Sequence, residues 1–197
     1  LPLEGYPEKL LQQAYPDLSP AEIQPFISEL RTGQQWGADG EKHLQHQPYS
    51  YFRTRDRASQ YVNVTHGFRV VSGQGPWPID PSNFNIFLFG GSTTFGTSLK
   101  DNETIAAYLQ QIFLKSNKNL NIKIYNFGVA GYYSTQERIL FERLLSHGNI
   151  PHAAIFLDGL NDFYHREDVP FGYDHVFKDL LEKSFARRLF EKLNTSY

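Results

Sequence analysis

The chain has 197 residues, 40% of them hydrophobic and 20% charged, which suits one globular domain or one domain with an extension. Its 19 basic and 21 acidic side chains give a net charge of -2, so nothing in the balance points to nucleic acid or an anionic membrane surface. There is no cysteine, which excludes disulfides and thiolate chemistry and leaves a zinc site only His and carboxylate ligands.

Residues 1–32 read as helical. Ser19-Pro20-Ala21-Glu22 forms a capping box with Pro at the first helical position; the Ser19 hydroxyl is expected to accept from an early free N–H and Glu22 to reach back. Ile23, Phe26, Ile27 and Leu30 then fall on one face. Residues 33–50 lose periodicity. The His43 and His46 pair inside them lacks i,i+4 spacing and reads as solvated rather than as metal ligands. Residues 51–71 read as extended, ending VNVTHGFRVV, in which Arg69 is open to anchoring this segment or to binding a substrate carboxylate. The Gly/Pro-rich stretch 72–84 is a connector. It separates an N-terminal accessory region, 1–71, from a main domain, 85–197.

From residue 85 strands and helices alternate. NIFLFGG is nearly all apolar, as a buried parallel strand requires. Ile105, Tyr108, Leu109, Ile112 and Phe113 form a helical stripe capped by Asp101 or Asn102. NIKIYNFG is a second strand, and Ser134-Thr135-Gln136-Glu137 a second capping box, followed by Leu140, Phe141, Leu144 and Leu145. HAAIFLDG is a third strand, and Phe177, Leu180, Leu181, Phe185, Leu189 and Leu193 mark a last amphipathic helix. Three strand–helix units in a row predict a doubly wound, flavodoxin-like α/β/α fold with a parallel sheet. Ligand sites in such sheets lie at the carboxyl ends of the strands.

Those ends carry the informative residues: Gly90-Gly91-Ser92-Thr93-Thr94-Phe95-Gly96, then Asn126-Phe127-Gly128-Val129-Ala130-Gly131, then Asp158-Gly159-Leu160-Asn161-Asp162. Side by side they gather a hydroxyl, a Gly-rich turn and a side-chain amide. Acyl transfer needs this set, a nucleophile at a sharp turn with N–H donors aimed at a developing oxyanion. Two other motifs come close. Residues 91–98 nearly spell a phosphate-binding P-loop, but Thr97 stands where Lys is required. An α/β-hydrolase elbow, G-x-S-x-G, fails because Thr94 replaces the last Gly. Taken singly, each segment also reads as a tight turn or a helix cap.

Together the three blocks resemble those of the SGNH/GDSL hydrolases. GGSTTFG is similar to their first block, with Gly91 where many members have Asp; NFGVAGYYSTQE is similar to the second, and GLNDF matches the third, Gly-x-Asn-Asp. The upstream THGFR resembles a segment of a bacterial subgroup, and the similarity covers about residues 60–165. The resemblance implies that Ser92 is the nucleophile and that the oxyanion donors are the Ser92 N–H, the Gly131 N–H and the Asn161 side-chain amide. It implies a serine esterase acting on a small-molecule or glycan ester, with no metal or organic cofactor. The family's base is a His in a late Asp-x-x-His block. Asp162-Phe163-Tyr164-His165 fits that string but overlaps the third block, and Asp174-His175 lacks the spacing. Family sheets usually have five strands where three are counted here. The remaining strands and the Asp-His pair are therefore expected beyond Tyr197.

Three other functions use the same residues. An O-acetyltransferase shares the blocks. A relative without the base would be a non-catalytic binding module for acylated glycans or a protein partner. The P-loop reading predicts nucleotide binding. No apolar run approaches the roughly 18 residues of a spanning helix, and no signal peptide is visible. The start at Leu1 rather than Met fits a processed chain or an incomplete one, and with the subgroup resemblance the expectation is an envelope, periplasmic or secreted protein.

Overall fold

The computed structural model describes residues 8–33, 44–116 and 120–164. The chain divides into two compact units, Leu1–Asn161 and Asp162–Tyr197. The expected final helix, with His165, Asp174 and His175, lies outside the described residues, as does His43.

Helix α1 spans Glu8–Ala14 and α2 spans Pro20–Gly33. Ser19 opens α2, but its capping box works differently from the expectation. Glu22 Oε2 accepts from both the Ser19 N–H (2.9 Å) and the Ser19 hydroxyl (2.6 Å). The hydroxyl thus donates to the carboxylate instead of accepting from an early helix N–H, because a charged acceptor makes the stronger bond. The predicted face of α2 is buried. Ile23, Phe26, Ile27 and Leu30 pack with Leu11, Leu18, Tyr61 and Val62.

Two antiparallel hairpins follow, β1 (Leu44–Gln47) with β2 (Tyr51–Thr54), and β3 (Val64–Thr65) with β4 (Phe68–Arg69). His66 and Gly67 both take positive φ, 52° and 82°, in the two-residue turn of the second hairpin. The expected parallel strands are β5 (Phe84–Gly90), β6 (Ile122–Asn126) and β7 (Ala153–Leu157). The sheet has five strands in the order β3-β4-β6-β5-β7, because β4 pairs antiparallel with β6 through Arg69 and Asn126. Strands of two residues leave no periodicity to read, so this edge was invisible in the sequence.

Alternation along the strands makes two cores. Ile86, Leu88, Ile122 and Ile124 face α4 (Ile105–Ser116), which follows the one-turn helix α3 (Ser92–Phe95) and a short 3₁₀ turn, Asp101–Glu103. Phe87, Phe89, Tyr125 and Phe127 face the other way, toward Leu140, Phe141 and Leu144 of α5 (Ser134–Ser146). Trp77 and Ile79, from the Gly/Pro-rich stretch, pack into this second core.

Both sheet-covering helices differ in detail from their predicted starts. Thr104, not Asp101 or Asn102, caps α4: its hydroxyl accepts the Ala107 N–H at 3.2 Å, while the Asp101 carboxylate is taken by Arg69 and Asn63. The buried side of α4 is Ala106, Ala107 and Gln110, with Tyr108 and Ile112 each 54% exposed. Gln110 is buried because β6 needs it. Its Nε2 donates to Ile122 O (2.9 Å) and its Oε1 accepts the Ile124 N–H (2.8 Å), so one side-chain amide stands in for a neighbouring strand. In α5 the N-cap is Tyr133, so Ser134 is already helical.

Candidate active site

Strand β5 ends at Gly90, and the chain turns at once into α3. Phe95 N–H donates to Gly91 O (3.0 Å), and the Gly96 and Thr97 N–H groups both donate to Ser92 O (3.0 and 3.1 Å). Gly96 closes the turn in a left-handed conformation, φ 78°. Ser92 is the first helical residue, so its own N–H has no acceptor within the helix. Its side chain sits in a half-buried position at the strand end.

The end of β6 is tied to this turn at several points. Phe127 N–H donates to Leu88 O (2.8 Å) and Val129 N–H to Gly90 O (3.0 Å). Asn126, fully buried, donates through Nδ2 to Thr94 O (2.8 Å) and accepts the Gly128 N–H on Oδ1 (3.0 Å). A Cβ on Gly128 would lie 2.3 Å from Phe95 N, so only glycine lets the two segments approach. Beyond it Gly131 has φ 85°, and the Tyr132 N–H returns to Val129 O at 3.0 Å.

The third block arrives on α6, Leu160–Tyr164, directly after β7. Asn161 Nδ2 donates to Tyr132 O at 2.6 Å. It also occupies the space beside Gly91, where a Cβ would lie 2.5 Å from Nδ2 and 3.2 Å from Tyr132 O. The structure therefore brings together Gly91, next to Ser92, Tyr132, next to Gly131, and Asn161. A carboxamide has two N–H donors. One of Asn161's is given to Tyr132 O.

Arg69 is an anchor. It is 1% exposed, with Nε on Asp101 Oδ1 (2.7 Å), Nη1 on the carbonyls of Phe95 and Gly96 (both 3.3 Å) and Nη2 on Leu99 O (2.7 Å). Its guanidinium also lies over the Phe95 ring, 5.0 Å from the centroid. One side chain thus holds the loop that follows α3. Burial pulls its pKa down, while the Asp101 charge and hydrogen bond oppose that.

The histidines with described side chains have other partners. His66 stacks on Phe68 (6.2 Å) and lies near Trp77 (6.3 Å). His147 Nδ1 is 2.7 Å from Arg143 O, and His152 Nδ1 accepts the Asn85 N–H (3.2 Å) near the amino end of β5. Among the described residues no cluster of three or more His, Asp or Glu is placed to hold a metal ion.

Sequence reasoning missed Gln110 and the hairpin contacts of Tyr132, and it named Asp101 and Asn126 without their partners, Arg69 and Asn63 for the first and Thr94 O for the second. Each is a single polar residue whose partner is distant in the chain. The fold and these contacts define a three-layer α/β protein whose parallel strand ends gather a serine, a positive-φ glycine and a side-chain amide.

No family model and no curated protein matches the chain. Among solved structures it is similar to AlinE4, an SGNH-hydrolase family esterase, at 26% identity over 44% of this chain and 46% of that one, with a TM-score of 0.37. Two variants of the same esterase match at 26% and 25% identity, each over 44% of this chain and 45% of theirs, with TM-scores of 0.37 and 0.36. The match thus spans less than half the length of those chains.

Proposed function

We propose that the protein is a serine esterase or acylhydrolase of SGNH type, which cleaves or transfers an acyl ester through an acyl-serine intermediate. The observation that carries this reading is the seat of Asn161: its amide lies against Gly91, beside the serine turn, and on the carbonyl of Tyr132, beside Gly131. In the mechanism Ser92 Oγ attacks the ester carbonyl carbon and gives its proton to a base. The carbonyl oxygen becomes an oxyanion, held by the Ser92 N–H, the Gly131 N–H and the second N–H of Asn161. The leaving alcohol takes the proton, and water, or an acceptor hydroxyl in the transferase case, then releases the acyl group. The resemblance implies a histidine as that base. The competing phosphate-loop reading would need residue 97 to reach a nucleotide, and the Thr97 hydroxyl is buried.

The test is Ser92→Ala in the full-length protein. Wild type should hydrolyse a short-chain aryl ester and take a fluorophosphonate label that the variant does not. Equal turnover by the two proteins sinks the reading. Wild type left unlabelled supports the binding-module alternative.

A further inference from the structure

We infer that Tyr132 is a positioning residue, which fixes the oxyanion side of the site by linking the β1–β2 hairpin to Asn161. The inference rests on the acyl-transfer reading above and goes beyond it, because it gives the N-terminal segment a part in the chemistry.

Tyr132 bonds at both ends. Its phenol donates to the main-chain carbonyl of Phe52 on β2, and the two rings meet edge to face at 5.3 Å. Its own carbonyl accepts the Asn161 amide at 2.6 Å, and its N–H donates to Val129 O at 3.0 Å. The side chain is 1% exposed. One turn into α5, Gln136 Nε2 donates to Ser50 O at 3.2 Å and ties the same hairpin a second time. Gly131, the proposed donor, directly precedes Tyr132 and has the left-handed φ of 85°.

A glycine at positive φ has little of its own to hold its peptide in one orientation. Here the neighbouring residue supplies that hold, through a phenol locked into the hairpin. The phenol is a durable donor: burial, opposed by the Ser50 hydrogen bond and nearby arginines, pushes its pKa up to about 12. A tyrosine that merely fills space would use its ring and leave the hydroxyl dispensable for rate. A positioning tyrosine needs the hydroxyl, since donors to an oxyanion act only when held at hydrogen-bond distance from it.

The experiment is Tyr132→Phe in the full-length protein, which keeps the ring and removes one O–H. Read together are kcat and KM for a short-chain aryl ester, the rate of fluorophosphonate labelling, and the thermal melt. The expected result is a fall of roughly 10- to 100-fold in kcat and in labelling rate, the scale of a small misplacement of reacting groups, with KM unchanged. A lowered melt with kcat and labelling at wild-type levels overturns the inference and leaves the Ser92 reading standing. Wild type that neither turns over nor labels overturns both. If Tyr132→Phe gives no cooperative melt, Gln136→Leu, which breaks only the second tie, is read in the same way: reduced kcat at constant KM supports the inference, and wild-type kcat overturns it.

Discussion

The Asn161 amide lies where a side chain on Gly91 would otherwise sit, with Nδ2 2.5 Å from an ideal Cβ at that position. Glycine at 91 therefore leaves the amide its place beside the serine turn. A Cβ at this position would also lie 3.2 Å from Tyr132 O, so Gly91→Ala should push Asn161 away from Tyr132 O. We expect Gly91→Ala and Asn161→Ala to lower ester turnover to a similar level. The loss should be about 10²- to 10³-fold, as for removal of one oxyanion donor. Wild-type kcat in either variant, with an unchanged melt, would remove Asn161 from the mechanism.

Arg69 is satisfied only as arginine. Its guanidinium reaches a carboxylate and three carbonyls, and Lys has a single point of charge to offer. Arg69→Met should destabilise the fold by about 3 to 5 kcal/mol, the range for breaking a buried pair, and Arg69→Lys should recover little of it. The buried pair is uneven, with the Asp101 side chain 19% exposed, so the lower end of that range is expected. Urea midpoints measure it, and a shift worth less than about 1 kcal/mol contradicts the anchoring role.

The contrast between these two sites shows what the sequence made legible. The strand ends were readable because buried parallel strands are continuous apolar runs, and their ends announce themselves in Gly, Ser and Asn. Ser92, Gly131 and Asn161 stand at or just beyond those ends, and the roles expected of them came from the family resemblance. Arg69 was singled out but left open between anchor and ligand, since its choice depends on carbonyls of residues 95, 96 and 99. The Thr104 cap, the role of Gln110 and the β3–β4 edge stayed hidden for the same reason. Each is decided by a partner at least 10 residues away or by a local competition, and periodicity reports neither.

Glu29 makes stability depend on pH. Desolvation raises its pKa. The hydrogen bonds from the Ser59 hydroxyl and the Tyr61 and Val62 N–H groups, with the Arg57 charge, outweigh that and hold it below its ordinary value of 4.5. A carboxylate with a lowered folded-state pKa contributes its full stability above the unfolded value and loses it as pH falls through the folded one. Glu29→Gln should therefore cost about 1.5 to 3 kcal/mol at pH 7, the range for hydrogen bonds to a charged group. That difference from wild type should shrink as the pH drops below 4.5. Denaturant titrations at a series of pH values check this, and a difference that stays constant down to pH of about 3 would show that the charge of Glu29 contributes nothing.

Two glycines separate crowding from backbone strain. Gly148, just after α5, has φ 81° and nothing within 4 Å of an added Cβ. Gly148→Ala should cost only the left-handed penalty, about 1 to 2 kcal/mol, and leave any activity intact. A Cβ on Gly128 would instead meet Phe95 N at 2.3 Å, Thr94 C at 2.7 Å and Phe95 Cα at 2.9 Å, all backbone atoms of α3. Backbone cannot rotate aside as a side chain can, so β6 and the serine turn must separate. Gly128→Ala should cost about 3 kcal/mol or more, the upper end for overpacking. It should also displace Ser92, so labelling at that residue falls along with stability. If urea midpoints rank the two variants the other way, or Gly128→Ala labels at the wild-type rate, the close contact between the two strand ends does not hold the nucleophile turn.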